Sequence, residues 1–212
     1  MAPSIPNDIF QFSTLAAHVS GFHTGQPHTR DLTSHGTHGI GIYEDSSLMI
    51  LLDRSAYAIR KDGTAVPAPL DDKLPFAMVT VFQPTYRFKL PSLSLEELEA
   101  LVEAQDLGVA RGVNTLMPFQ ISTTFSSVAL EQGGSLHGVE GTIFGYVVPK
   151  WMREISGPRI HAHFLNEEES KGGRVEGFEV EGEVHLGFAK CGRFHLGFPQ
   201  GPEWEDVRLS SD

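Results

Sequence analysis

The chain reads as α+β: a β-rich fold of packed mixed and antiparallel sheets with few helices. Three observations carry this reading. Short runs rich in β-branched and aromatic residues alternate with Gly, Pro, Asp and Ser over most of the chain. One segment alone shows a clear apolar stripe at helical spacing. A length of 212 residues with 40% hydrophobic content is enough to bury a real core in one large domain or two small ones. With no linker and no low-complexity tract, residues 1–212 read as a single unit, with sheet layers placed at about 1–138 and 139–212.

The strands follow in order. Gly39 to Tyr43 is the first apparent one, after a Gly-rich segment holding His35 and His38, which reads as a turn. Leu48 to Leu52 is the longest clean apolar run and is far too short to span a bilayer. Val79 to Phe82 is a strand closed by Pro84. The helix comes next: Ser94 can cap it, Glu97 completes a capping box, and Leu95, Leu98, Leu101 and Val102 mark one face. Phe119 to Val128 and Thr142 to Val148 are strong strands, the latter bounded by Gly141 and Pro149. Arg159 to Leu165 and Arg174 to Glu181 flank the polar loop Asn166 to Gly173 and predict a hairpin. Val184-His-Leu-Gly-Phe188 recurs as Phe194-His-Leu-Gly-Phe198, which predicts two paired strands joined near Lys190 to Arg193. In that pairing His185 and His195 face apart and are structural.

Composition excludes several classes. A net charge of −11 repels phosphate backbones, and Lys and Arg form no run, so no nucleic-acid partner is expected. Cys191 is the sole cysteine, so no intrachain disulfide can form, and it reads as an unreactive thiol at a turn. Met1 to Phe10 has no basic region followed by an apolar run, so no signal peptide is expected. Together these features predict a cytoplasmic protein without a membrane partner.

The best chemical signal is His161-Ala-His163. Two histidines at i and i+2 on a strand project to one face, the spacing a metal needs from a single strand. The third ligand belongs on the neighbouring hairpin strand, which opens with Arg174; Glu176 is the nearest acid of the same parity. There is no nucleophile elbow, P-loop, dinucleotide fingerprint or Cys-x-x-Cys.

Several motifs together resemble the α-acetolactate decarboxylases. They are Val139-Glu-Gly-Thr-Ile-Phe-Gly-Tyr146, Pro149, Gly157, His161-Ala-His-Phe164 and Gly172-Gly173. Upstream, Gly39-Ile-Gly41, Asp62-Gly-Thr64-Ala65, Pro75-Phe76 and Thr80-Val-Phe82 stand in matching order, and the similarity runs from about Phe12 to about Leu186. The resemblance implies a cytosolic lyase, of a kind compatible with a homodimer, that forms acetoin and binds zinc through three histidines. The metal would chelate the hydroxyl and keto oxygens of the substrate and stabilise the enediolate left when carbon dioxide departs.

Carried over residue by residue, the match is partial. His161 and His163 take the first two ligand positions, but Arg174 stands directly after Gly173 where the third histidine belongs. Ser55 stands where the family has a glutamate, the active-site arginine falls near Arg111 with a one-residue shift, and a last glutamate lies in a C-terminal stretch not matched here. A guanidinium has no lone pair for a metal. About 5 Å from a dication, at an effective dielectric of about 20, it is repelled by about 7 kcal/mol before screening. The leading reading is therefore a repurposed lyase, isomerase or cyclase that needs no metal. It would stabilise an enolate with Arg174 and His161 or His163, with Arg111 as a further catalytic candidate. No cofactor is expected; zinc on His161 and His163 is the alternative. Two other readings stand beside it: a genuine decarboxylase of acetolactate or a related 2-hydroxy-3-keto acid, and a non-catalytic small-molecule-binding protein.

Overall fold

The computed structural model describes residues 6–104 and 114–209. Its strands are β1 (Ile9–Phe12), β2 (His38–Ile42), β3 (Leu48–Leu52), β4 (Ser55–Ile59), β5 (Ala65–Pro67), β6 (Phe76–Thr80), β7 (Tyr86–Ser94), β8 (Met117–Leu130), β9 (Gly134–Val147), β10 (Ile160–Asn166), β11 (Gly172–Phe188) and β12 (Phe194–Gly197). The α-helices are short: α1 (Leu15–Val19), α2 (Thr29–His35), α3 (Leu95–Glu103), α4 (Arg153–Ser156) and α5 (Pro202–Asp206).

Two sheets form. The first has the order β12-β1-β6-β2-β3-β4-β5 and is mixed, since β12 runs parallel to β1 while the other pairs are antiparallel. The second has the order β10-β9-β8-β11-β7, and β10 also pairs with the start of β11, so four strands close into a small barrel with β7 added outside. The first sheet draws on residues 9–80 and 194–197, the second on 86–188.

Burial on both faces explains the sequence pattern of the first sheet. Ile9, Ile40, Phe76 and Met78 pack with Phe144 and Tyr146 on the outside of the barrel. On the other face Leu51, Ala77 and Val79 pack with Leu32 of α2. A strand covered on two sides needs no polar alternation, which is why Leu48–Leu52 and Phe76–Val79 are continuous apolar runs.

The barrel strands alternate instead. Phe119, Ile121, Phe125, Ile143 and Phe164 fill the interior with Leu98 and Val102 of α3. The predicted capping box of α3 is present: Ser94 Oγ accepts from Glu97 N at 3.1 Å, and Glu97 Oε2 accepts from Ser94 N at 2.8 Å. The predicted hairpin is also present, with His163 opposite Arg174 and Leu165 opposite Gly172.

The repeated motif behaves differently from the sequence expectation. Val184–Phe188 and Phe194–Phe198 do not pair with one another; β11 pairs with β7 and β8, while β12 adds to β1. His195 stacks on Phe10 at 4.5 Å, in a different sheet from His185. Similar local sequence does not set pairing when a longer-range edge is available. Among the described residues no helix is long and apolar enough to cross a membrane.

Candidate functional site

The outer face of the barrel carries one cross-strand row. Residues paired across a sheet project to the same side, and the register aligns Arg87 of β7, Gly187 of β11, Gln120 of β8, Phe144 of β9, His163 of β10 and Arg174 at the start of β11. The next row places His161 beside Tyr146. This face meets the first sheet, so His161 and His163 lie buried between the two sheets at 3% and 1% exposure.

Both imidazoles are fixed in one orientation. His161 Nδ1–H donates to the Ser156 carbonyl at 2.8 Å, and His163 Nδ1–H donates to the Met49 carbonyl at 2.8 Å. A carbonyl can only accept, so each ring carries its proton on Nδ1 and presents an Nε2 lone pair. The Nε2 of His163 is buried without a hydrogen-bond partner, and the two rings lie 5.9 Å apart. Burial pulls His161 down to about 4; the Ser156 bond opposes this, and Arg174 adds to it. His163 falls to about 3, again chiefly through burial, then through the neighbouring His161, with Arg174 as a weaker push. Both are neutral near pH 7.

Gly157 shapes the turn beneath His161. Its φ of 117° lies in the left-handed region, and a Cβ there would sit 2.4 Å from His161 Nδ1. It ends α4 so that the Ser156 carbonyl is free to take the imidazole N–H.

Arg174 occupies the same face but turns away. Its Nε donates to Glu131 Oε2 at 2.9 Å, and both side chains are partly solvated. It lines a surface cleft of about 560 Å³ with Arg153, Gly157, Ile160 and Glu176. His161 and His163 do not line that cleft. The structure thus brings the histidine pair together, sets Arg174 beside it, and holds the guanidinium outward with Glu131, a residue that sequence reasoning did not single out. Arg174 and the two histidines therefore do not share one cavity, and the buried imidazoles offer acceptors at Nε2 rather than donors.

The zinc centre implied by the sequence resemblance fits this donor set at two positions only. Anchored Nδ1–H groups with free Nε2 lone pairs are what metal-bound imidazoles need. The third position is a cation, and among the described residues no group of three or more His, Cys, Asp or Glu is placed to hold a metal. Glu176 is exposed and does not complete a set. Ser55 is exposed at the start of β4. Arg111 lies outside the described residues. Burial raises the Cys191 thiol to about 11, which disfavours the reactive thiolate.

His38 is the residue the sequence reading missed. It opens β2 and is buried, in contrast to the turn role predicted for it. It lines a cleft of about 350 Å³ with Asp53, Phe82, Arg87, Gln120 and His185. The tip of the β3–β4 hairpin brings Asp53 there, with Asp53 (φ 46°) and Arg54 (φ 71°) forming a left-handed two-residue turn between Leu52 and Ser55. The available signal was position: His38 directly precedes a strand whose faces are both covered.

The comparisons with known proteins agree with this architecture. A family model described as alpha-acetolactate decarboxylase matches residues 9–135 and 131–211. The alpha-acetolactate decarboxylase of Methanosarcina mazei is 29% identical over 205 residues, spanning 85% of this chain and 70% of that protein. That of Lactococcus lactis subsp. cremoris is 30% identical over 196 residues, spanning 84% and 83%. The crystal structure of alpha-acetolactate decarboxylase from Bacillus subtilis strain 168 superposes with a TM-score of 0.86 at 23% identity, covering 96% of this chain and 94% of that one. A Staphylococcus aureus protein of unknown function, described as similar to alpha-acetolactate decarboxylase, gives 0.84 at 24% identity, covering 95% and 97%. The structural likenesses establish the fold, and the sequence matches establish the lineage: the chain belongs to the alpha-acetolactate decarboxylase family.

Proposed function

We propose that this protein is a lyase or isomerase acting on a small hydroxy-keto acid through an enolate-type intermediate, without the three-histidine zinc centre. Family membership supports the reaction class. The observation that carries the departure is the pairing of Arg174 with His163, which puts a permanent cation at the third ligand position. In this reading the Nε2 lone pairs of His161 and His163 take a substrate proton. Arg174, turned from its Glu131 partner toward the histidine pair, offsets the negative charge that develops on the enolate oxygen. Burial keeps both rings unprotonated near pH 7, which leaves a lone pair open on each, and the same burial makes them weak bases.

The test is proton exchange in heavy water. Acetolactate and other 2-hydroxy-3-keto acids are incubated with the enzyme and excess chelator and followed by NMR. Deuterium incorporation or conversion that persists with chelator and is lost in Arg174→Gln is expected. Turnover that appears only on adding zinc overturns the reading.

A second reading is a decarboxylase of acetolactate that yields acetoin and carbon dioxide. It is favoured by the unpartnered Nε2 of His163. Acetoin production from acetolactate would establish it.

A further inference from the structure

We propose that the cleft between the first sheet and the barrel binds a small monoanionic hydroxy acid, with Arg87 and His38 as its recognition groups. The inference rests on the proposed function only for the reaction that follows; the binding site stands on its own geometry.

The barrel side of the cleft is built from the cross-strand row. Arg87 and Gln120 flank Gly187, because both pair with it from opposite sides. Gly187 carries no side chain, and a Cβ there would meet Pro84 Cβ at 3.2 Å. The missing side chain lets Pro84 pack over Gly187, and Pro84, Gly187, Arg87 and Gln120 all line the hollow. Two residues along each strand, on the same face, Ser122 and His185 extend the lining. At about 350 Å³ the hollow lies within the roughly 300–1,000 Å³ range of small-molecule sites.

The opposite wall presents a buried donor. His38 has a side chain only 6% exposed, packed between Phe82 at 5.4 Å and Phe144 at 5.1 Å. Thr37 Oγ1 accepts the Phe82 N–H at 3.1 Å and lies 2.9 Å from His38 Nδ1. With the Thr37 hydroxyl donating to Nδ1, the tautomer we assign to this site, the imidazole proton sits on Nε2, the nitrogen facing the Asp53 carboxylate. Nε2 lies 3.6 Å from Asp53 Oδ1, beyond hydrogen-bond reach, so this N–H is available to a ligand in the cleft. Burial lowers the His38 pKa against an upward pull from Asp53, which is consistent with a neutral donor.

The charges select the ligand class. Arg87 forms no ion pair with any described residue. A guanidinium and an imidazole N–H lining one cleft suit a carboxylate. Asp53, 92% exposed at the rim, offsets part of the Arg87 charge, so the cleft suits one negative charge rather than two. It would instead accept from a hydroxyl next to the carboxylate. A phosphate or dicarboxylate therefore fits less well than a hydroxy monocarboxylate. The cleft is separated from His163 by Phe144, the residue between Gln120 and His163 in the row. It is thus a donor-lined chamber next to an acceptor pair.

Lactate is a suitable probe because it has the predicted groups and no keto function to react. NMR titration of protein labelled with ¹⁵N in its histidines reads the site directly. Lactate should shift His38, with methyl lactate inactive and acetate weaker. Arg87→Gln and His38→Phe should each weaken lactate binding by at least about tenfold, one charge-assisted hydrogen bond's worth. Arg87 is exposed on an outer strand, so its replacement leaves the fold intact. Equal lactate affinity in wild type, Arg87→Gln and His38→Phe overturns the proposal, as does absence of binding to wild type. If lactate binds as described while no hydroxy-keto acid turns over, the proposed function fails and the site stands.

Discussion

Arg174 stands directly across the β10–β11 pair from His163, and the guanidinium leaves that pairing to meet Glu131 at 2.9 Å. The third ligand position that the sequence resemblance implies is thus occupied by a cation with its own counter-ion.

It follows that Arg174→His should complete a three-histidine set. His161 and His163 already face the same side with their Nδ1 protons committed to carbonyls. Zinc affinity, measured by chelator competition, should rise by at least about tenfold over wild type. No gain would mean that position 174 does not reach the Nε2 atoms.

Wild-type protein purified without added metal should hold well under one zinc per chain. Two imidazoles opposed by a guanidinium make a weak site. Elemental analysis showing tightly held stoichiometric zinc would contradict the donor set described above.

Glu131→Gln should separate positioning from stability. The ion pair is 39% and 43% exposed at its two side chains, so losing it costs no more than about 1 kcal/mol in urea denaturation. Conversion of a hydroxy-keto acid should nevertheless change, because Arg174 is no longer held. Unchanged kinetics would remove Arg174 from the chemistry.

Acid should destabilise the fold through the histidine pair. Unfolded, each ring titrates near 6.5; folded, near 4 for His161 and near 3 for His163. Between those values the unfolded chain binds protons that the fold does not, so stability is complete above 6.5 and falls as pH falls. Each tenfold loss of proton affinity on folding corresponds to about 1.4 kcal/mol per group. Denaturation midpoints at about pH 7.5 and about pH 5 should diverge in wild type, and much less in the double variant His161→Gln, His163→Gln. Parallel behaviour would show that the rings are not buried as described.

Gly157→Ala should cost about 1–3 kcal/mol. The new methyl meets His161 Nδ1 at 2.4 Å and the backbone at φ 117° resists it. Loss of the protected His161 Nδ1–H signal in NMR should accompany the drop in stability.

Local rules made much of this legible. Ser94 and Glu97 announce α3 because capping chemistry acts within four residues. The shared face of His161 and His163, and the place of Arg174 beside them, follow from strand alternation and a short hairpin. The cleft was not legible. Arg87, Gln120 and His38 meet only through pairings between distant strands, and nothing near any of them signals the other two. Glu131 was hidden for the same reason. The two copies of His-Leu-Gly-Phe misled because β1 offers β12 a longer-range partner.

That last pairing bears on the order of assembly. Ile9 N–H donates to the Arg193 carbonyl and Ser13 N–H to the Gly197 carbonyl, so among the described residues the first strand is finished by the last. During synthesis β1 has only β6 beside it until the barrel has been made and β12 has emerged. Its other edge stays open for that interval, with Phe10 and Phe12 on it. Contacts this far apart in sequence slow folding and prolong the exposure of strand edges. A nascent chain stalled before residue 194 would carry an unpaired β1 edge, and edge-to-edge aggregation is the characteristic outcome.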